Sequence, residues 1–249
     1  MAGVQLIYDT TCTSTSGVCC QWTVPTGTYA VTFEVWGGGG GGGTQGTSCD
    51  CCQRGGPGAG GGYSKKTVAT VPGCQYTICA GPGGVSSQGW GSYCGRCCNG
   101  CAGGTSFVTG YNVPSSFCAT GGAGGPSDFN TNCYAHCGCN FCGYLGGCGF
   151  NGDTMTNGNW GVMSSHGGQS PYDISVKGGD AGGIGGGAGG VNAGGGYADG
   201  SSWCAQTGES QLHGRIPGGG GAGSGGYTCC QCTPWASGRG APGLVKISY

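Results

Sequence analysis

The sequence predicts an all-β protein: a small antiparallel β-sandwich joined to packed, glycine-rich extended segments of the polyglycine II type, with long cysteine-rich loops and essentially no helix. The chain has 67 glycines among its 249 residues, and each glycine inside a helix costs about 1 kcal/mol relative to alanine. Strand-like apolar alternation lies near the two ends of the sequence. The glycine tracts between them carry apolar residues three apart, which is the period of a left-handed extended helix.

The clearest strand prediction falls on residues 29–36. In this run Val31, Phe33 and Val35 are separated by single residues, the period of a half-buried strand. The terminal run 243–249 (GLVKISY) is β-branched in the same way. Neither run has enough local partners for an isolated hairpin, so we expect both in one antiparallel sandwich that brings the chain ends together.

Two further stretches also read as strands. Residues 63–81 (YSKKTVATVPGCQYTICAG) resemble a hairpin, because β-branched runs flank a Pro72-Gly73 turn. Residues 105–109 (TSFVT) form another short β-branched run. We therefore expect a single domain over residues 1–249. Its parts are framework strands near 4–36, 63–80, 105–120 and 243–249, and a glycine-rich loop insert at 121–242.

The glycine tracts allow two interpretations. A flexible linker would carry glycine without positional constraint. In GGIGGGAGGV (182–191), however, Ile184 and Gly187 end successive triplets and Val191 follows Ala188 by three residues. Close packing of segments with this period requires glycine. We expect residues 37–43 and 178–196 to be ordered and packed against one another, holding residues 151–176 and 201–216 at an exposed surface.

The 22 cysteines also allow two interpretations. Disulfides are favoured, because a chain poor in aliphatic residues needs another source of stability. The structural disulfide candidates are Cys12, Cys19, Cys20, Cys49, Cys51, Cys52, Cys74, Cys79, Cys118, Cys148, Cys204, Cys229, Cys230 and Cys232. The alternative is a metal site, since C-x-x-C-C-x-x-C supplies thiolates at zinc-like spacing. Its fallback ligands are Cys94, Cys97, Cys98, Cys101, Cys133, His136, Cys137, Cys139 and Cys142.

Two segments combine aromatic rings with small polar groups, as recognition loops do. The candidate receptor contacts in them are Trp160, Met163, His166, Tyr172, Trp203, Gln211 and His213. The alternative is that these aromatic side chains fill the small core.

Several function classes are disfavoured by composition. Only 7% of the residues are charged and no basic cluster occurs, so nucleic acid is a poor partner. No apolar run is long enough to span a bilayer, and the first residues lack the pattern of a signal peptide. No constellation of His, Cys and carboxylates points to catalysis, so we expect no enzyme activity and no cofactor.

The order of three motifs carries a family resemblance: VWGGGGGGG at 35–43, then GGYSKKTVATVPGCQYTICAGPGG, then the closing GLVKISY. It resembles the glycine-rich domain of tailed-bacteriophage virion proteins, which pair a small β-sandwich with glycine-rich loops in tail fibres and related appendages. The glycine tracts also resemble the distal fibre adhesins of T-even-like phages. In those adhesins, packed polyglycine helices support variable receptor-binding loops.

The resemblance implies a non-enzymatic virion protein at or near a tail fibre, with a role in host attachment. It would be made in the host cytoplasm and carried in the extracellular particle. Its partners would be other virion proteins, with a host surface receptor and a second copy of the chain as further candidates. One alternative is a disulfide-reinforced capsid or tail decoration protein. Another is a cysteine-rich metal-binding structural protein.

Overall fold

The computed structural model describes residues 3–7, 17–43, 53–86, 99–126, 129–130, 141–142, 145–165, 174–183, 197–199, 213–223 and 237–249. These residues form strands and extended segments, and no helix occurs among them. The strands are β1 (Val4–Ile7), β2 (Val18–Thr23), β3 (Ala30–Trp36), β4 (Gln53–Arg54), β5 (Tyr63–Ala69), β6 (Gln75–Ala80), β7 (Ser106–Gly110), β8 (Cys118–Ala119), β9 (Phe129–Asn130), β10 (Phe141–Cys142), β11 (Gly149–Phe150), β12 (Thr154–Thr156), β13 (Val162–Ser165), β14 (Ile174–Lys177), β15 (Tyr197–Asp199) and β16 (Leu244–Ser248).

Two five-stranded antiparallel sheets form the sandwich. The first has the order β1-β16-β3-β5-β12 and the second has the order β11-β8-β7-β6-β2. The predicted partnership of the two end runs is confirmed, since β16 lies beside β3 with Val245 opposite Val35. Gly3 and Tyr249 exchange two backbone hydrogen bonds, so the ends of the described chain are adjacent.

The predicted hairpin around Pro72-Gly73 is wrong. The turn is present, with Gly73 at a φ of 87°, but β5 pairs with β3 and β6 pairs with β2. The two strands therefore belong to different sheets. The physical reason is the core, which needs apolar side chains from both sides: Val68 enters it from one sheet and Ile78 from the other.

Aromatic rings supply much of the core volume in a chain with few aliphatic residues. Phe33 from the first sheet lies 5.0 Å, between ring centroids, from Tyr76 of the second. Trp22 contacts both of these rings, and it also lies 5.2 Å from Tyr249. Burial of such large rings stabilises the sandwich more per residue than small aliphatic side chains would.

The seven consecutive glycines at 37–43 leave the end of β3 and are buried throughout. Their amides donate in strict rotation to three neighbouring segments, so every third amide meets the same neighbour. The acceptors, in order from Gly37 to Gly43, are the carbonyls of Gly62, Gly104, Ala241, Ala59, Cys101, Gly238 and Gly56. This three-residue rotation is the signature of polyglycine II packing.

The carbonyls of segment 37–43 accept from three other segments. Gly84 donates to Gly39, Gly221 to Gly40 and Gly125 to Gly41. Six segments therefore surround the glycine run, in a hexagonal arrangement. They are 56–62, 99–104, 237–243, 81–86, 120–126 and 218–223.

Segment 56–62 is surrounded in the same way. Its neighbours are 37–43, 120–126, 145–148, 157–161, 178–183 and 218–223. We call these packed segments, taken together, the glycine bundle. A Cβ on Gly58 would collide with the carbonyl of Gly40, so these backbones lie too close together for any side chain.

The predicted contact between the two longest glycine tracts is corrected in one respect. Residues 178–183 belong to the bundle, but their amides at Gly179 and Gly182 donate to Gly58 and Gly61, not to segment 37–43. One segment therefore separates the two tracts. The remainder of the predicted tract, 184–196, lies outside the described residues.

The bundle extends from one end of the sandwich, because its segments continue the strands directly. Segment 37–43 follows β3, 56–62 leads into β5, 81–86 follows β6 and 237–243 leads into β16. The chain thus runs outward and returns repeatedly.

A four-stranded sheet, β10-β13-β14-β15, adjoins the bundle through segments 157–161 and 178–183. No helix long and apolar enough to cross a membrane occurs in the described part of the chain.

Candidate functional site

The candidate site lies on one side of the molecule. Here residues 145–150 run from the glycine bundle towards the sandwich, and residues 155–161 run back in the opposite direction. The turn between these two runs uses Asn151, whose φ is 54°, and Gly152. Asparagine tolerates this left-handed region better than most other residues do. The Asn-Gly turn signal in the sequence therefore marks a real reversal of the chain.

Glycine contacts fix the register of the two runs. The amide of Gly158 donates to the carbonyl of Gly147 at 2.8 Å, and a Cβ on Gly146 would collide with the carbonyl of Gly158. With Gly147 opposite Gly158, counting two residues back on the first run and two residues forward on the second places Leu145 opposite Trp160. In the other direction it places Phe150 near Met155, whose Cβ lies beside Gly149.

These four apolar residues are all exposed. Leu145 is 79% exposed, Met155 49%, Trp160 48% and Phe150 44%. We call the set Leu145, Phe150, Met155 and Trp160 the flank strip. The residues between its two ends are Gly146, Gly147, Cys148 and Gly149 on one run and Thr156, Asn157, Gly158 and Asn159 on the other. An exposed apolar surface of this kind on an ordered support is a common mark of a binding site.

Polar groups border the strip. The side chains of Asn157 and Asn159 are exposed. Each amide offers both donors and an acceptor to a ligand. The carboxylate of Asp153 accepts hydrogen bonds from the Thr67 amide at 2.9 Å and from Lys66 Nζ at 3.0 Å. These two hydrogen bonds lower the pKa of Asp153.

A charged cluster on the outer face of the first sheet supports the returning run. Glu34 lies between Lys65 and Lys246 across three strands, with N–O distances of 3.6 and 3.1 Å. Tyr63 donates its hydroxyl to Glu34 and packs on Trp36 at 4.8 Å between ring centroids. Burial, the Glu34 carboxylate and this hydrogen bond together raise the pKa of Tyr63. Thr156 at the start of the bundle lies opposite Tyr63.

The predicted receptor contacts fall in different places. Trp160 is part of the flank strip. Met163 lies in β13, and His213 is half-buried, with its Nδ1 accepting from the Arg239 amide at 2.9 Å. The remaining four lie outside the described residues: His166, Tyr172, Trp203 and Gln211.

Sequence reasoning missed Leu145, Phe150 and Met155. They are isolated apolar residues in a polar, glycine-rich stretch. Only the register of the two runs places Leu145 opposite Trp160, with Phe150 and Met155 at the other end of the same strip. The signal that could have found them is the Asn151-Gly152 turn, which folds 145–150 back along 155–161.

Among the disulfide candidates, Cys19 and Cys79 form a bridge across the adjacent strands β2 and β6, where they are directly opposite. Cys20, Cys74, Cys118 and Cys148 are free thiols in this structure. The other candidates lie outside the described residues: Cys12, Cys49, Cys51, Cys52, Cys204, Cys229, Cys230 and Cys232.

Of the fallback metal ligands, Cys101 is an exposed free thiol on segment 99–104 and Cys142 lies in β10. Within the described ranges, His, Cys, Asp and Glu form no group of three or more that could hold a metal ion. The other fallback ligands are outside those ranges: Cys94, Cys97, Cys98, Cys133, His136, Cys137 and Cys139.

Comparison with known proteins adds one finding to this geometry. No curated protein matches the chain. A family model described as "Glycine-rich domain" matches residues 13–249. This range includes every strand of the sandwich except β1, together with the glycine bundle and the flank strip. The chain therefore belongs to the glycine-rich domain family.

Proposed function

We propose that the chain is a non-enzymatic structural protein of a bacteriophage particle, located on a tail fibre or related appendage, where it takes part in attachment to the host. The observation that carries the proposal is the glycine bundle. Two segments, each surrounded by six others, form a rigid stalk that projects from one end of the sandwich. Such a stalk suits the presentation of a binding surface away from a mounting base.

The flank strip supports the attachment role. A backbone held by the glycine bundle, with four exposed apolar side chains and exposed amides, presents a preorganised surface. Preorganisation reduces the ordering cost of binding. The proposal assigns this surface to a receptor on the host and assigns the sandwich to contacts with other virion proteins. It involves no catalytic residue and no cofactor.

The cross-strand bridge Cys19–Cys79 favours a second candidate, a decoration protein that only reinforces the particle. Such a protein needs stability but no receptor surface. The two candidates differ in one measurable property, which is binding of the isolated protein to bacterial cells.

The test has two parts. Mass spectrometry of purified particles from a lysate that encodes this chain should detect the protein, and antibody labelling should place it on a tail appendage. Purified protein should then adsorb to a subset of bacterial strains. Labelling on the capsid without adsorption would favour the decoration role, and absence from the particles would refute both.

A further inference from the structure

We propose that the flank strip binds a neutral, linear polysaccharide of the host surface. This inference rests on the proposed attachment role and names the chemical class of its receptor. It is carried by three properties of the strip: its apolar side chains, its neutral surroundings and its narrow shape.

The first property is the combination of exposed rings with exposed amides. Sugar rings have apolar faces of C–H groups and polar rims of hydroxyls. Trp160 and Phe150 offer flat apolar surfaces of the kind that stack on such faces. Asn157 and Asn159, between and beside them, carry the donors and acceptors that hydroxyls require.

The second property is the absence of available charge. The sequence from Cys97 to Val176 contains no lysine or arginine. The fold brings three lysines near the strip, and each lies beside a carboxylate: Lys66 beside Asp153 at 3.0 Å, Lys177 beside Asp180 at 2.9 Å, and Lys65 beside Glu34 at 3.6 Å. An anionic polymer would find no free cation in this described region, so a neutral ligand is the better match.

The third property is shape. The strip is two antiparallel segments wide. One end consists of Leu145 and Trp160 and the other of Phe150 and Met155, so the two ends are five residues apart along each segment. At about 3.1 Å per residue this separation is about 15 Å, which is the length of a few sugar units. A specific protein interface usually buries about 800 Å² on each partner, and a strip this narrow suits a chain-like ligand better than a globular one.

Affinity electrophoresis of the purified full chain tests the proposal. The probes are gels containing a dextran, a mannan or a galactan as neutral polymers, and alginate as the anionic comparison. At least one neutral polymer should retard the wild-type protein, and alginate should not. Trp160→Ala and Phe150→Ala should each weaken the retarding interaction roughly tenfold.

Tyr111→Ala is the matched control, because Tyr111 is a comparably exposed aromatic residue (50%) in the sandwich, next to β7. Its retardation should equal that of the wild type. Retardation by none of the three neutral polymers, or equal retardation of the wild type and Trp160→Ala, overturns the proposal. A dimer in analytical ultracentrifugation that Trp160→Ala dissociates would also overturn it, and would make the strip a self-association surface.

Cell adsorption measured with the same variants separates this inference from the proposed function. Adsorption that survives Trp160→Ala and is lost after protease treatment of the cells would indicate a protein receptor elsewhere on the molecule. That result would refute the polysaccharide site and leave attachment standing. Absence of the protein from purified particles would refute the particle role whatever the strip binds.

Discussion

The amide of Gly40 donates to the carbonyl of Ala59 at 2.8 Å, and a Cβ on Gly40 would collide with the carbonyl of Ala123 on another segment. Gly40→Ala should therefore prevent correct folding, because the surrounding backbones have no space to yield. The measurement is soluble yield together with the cooperativity of thermal unfolding.

The matched control for that change is Gly27→Ala. Gly27 has a φ of 83°, and a Cβ there meets no atom within 4 Å. The substitution should cost only the left-handed backbone penalty, about 1–2 kcal/mol. Equal yields and equal melting temperatures for the two variants would contradict the packing argument.

Reduction of the Cys19–Cys79 bridge should destabilise the sandwich. The bridge closes a loop with a sequence separation of 60 residues, and bridges of this type contribute about 2–4 kcal/mol, chiefly by restricting the unfolded chain. Urea unfolding with and without a reductant measures the difference. Cys101→Ser, which removes an exposed free thiol, should leave the urea midpoint unchanged. A reductant effect of the same size in a Cys19→Ser/Cys79→Ser double variant would assign the loss to another bridge.

Acid should weaken the contact that Asp153, in the turn after Asn151, makes with strand β5 of the first sheet. The pKa of Asp153 is lowered by the Thr67 amide and by Lys66, so its contribution is complete above the unfolded value of about 3.9 and is lost as the pH falls below it. The effect should be below about 1 kcal/mol, because the carboxylate is exposed. Asp153→Asn should reduce the slope of stability against pH between pH 5 and pH 2. An unchanged slope would show that the contact adds nothing.

Alkali should act on the opposite side of neutrality through Tyr63. Its pKa is raised by burial and by Glu34, so an unfolded tyrosine ionises near pH 10 while Tyr63 in the folded protein stays protonated. Its stabilising contribution is therefore present below pH 10 and is lost as the pH rises above it. Tyr63→Phe, which keeps the ring against Trp36, should flatten stability above pH 10. Absorbance titration at 295 nm should show one tyrosine fewer among the late-titrating groups.

The sequence predicted the scaffold well wherever a local period carried the information. The alternation of Val31, Phe33 and Val35 is visible in the chain itself, and it predicted β3. This period follows from backbone geometry and therefore survives folding unchanged. The predicted order of the glycine run at 37–43 is confirmed as well, whereas the triplet spacing was read from 182–191, most of which lies outside the described residues.

The rest depended on contacts between distant residues. Nothing near Pro72-Gly73 indicates that β5 and β6 enter different sheets, because each strand is placed by a partner elsewhere in the chain. Likewise, Trp160 was predicted as a contact residue from its own surroundings, but its neighbour Leu145 became evident only through the Gly147–Gly158 register. A lone leucine among glycines carries no periodic signal.

The bundle also has a consequence for how the chain folds. The hydroxyl of Ser237 bonds to the carbonyl of Gly42 across a sequence separation of 195 residues, and the glycine run meets Gly238 and Ala241 as well. The innermost segment therefore cannot be enclosed until almost the whole chain has left the ribosome. Such high contact order slows folding. It also makes assembly all-or-none, so a chain truncated before residue 237 should be cleared by proteases as an unfolded polypeptide instead of persisting as a shortened stalk.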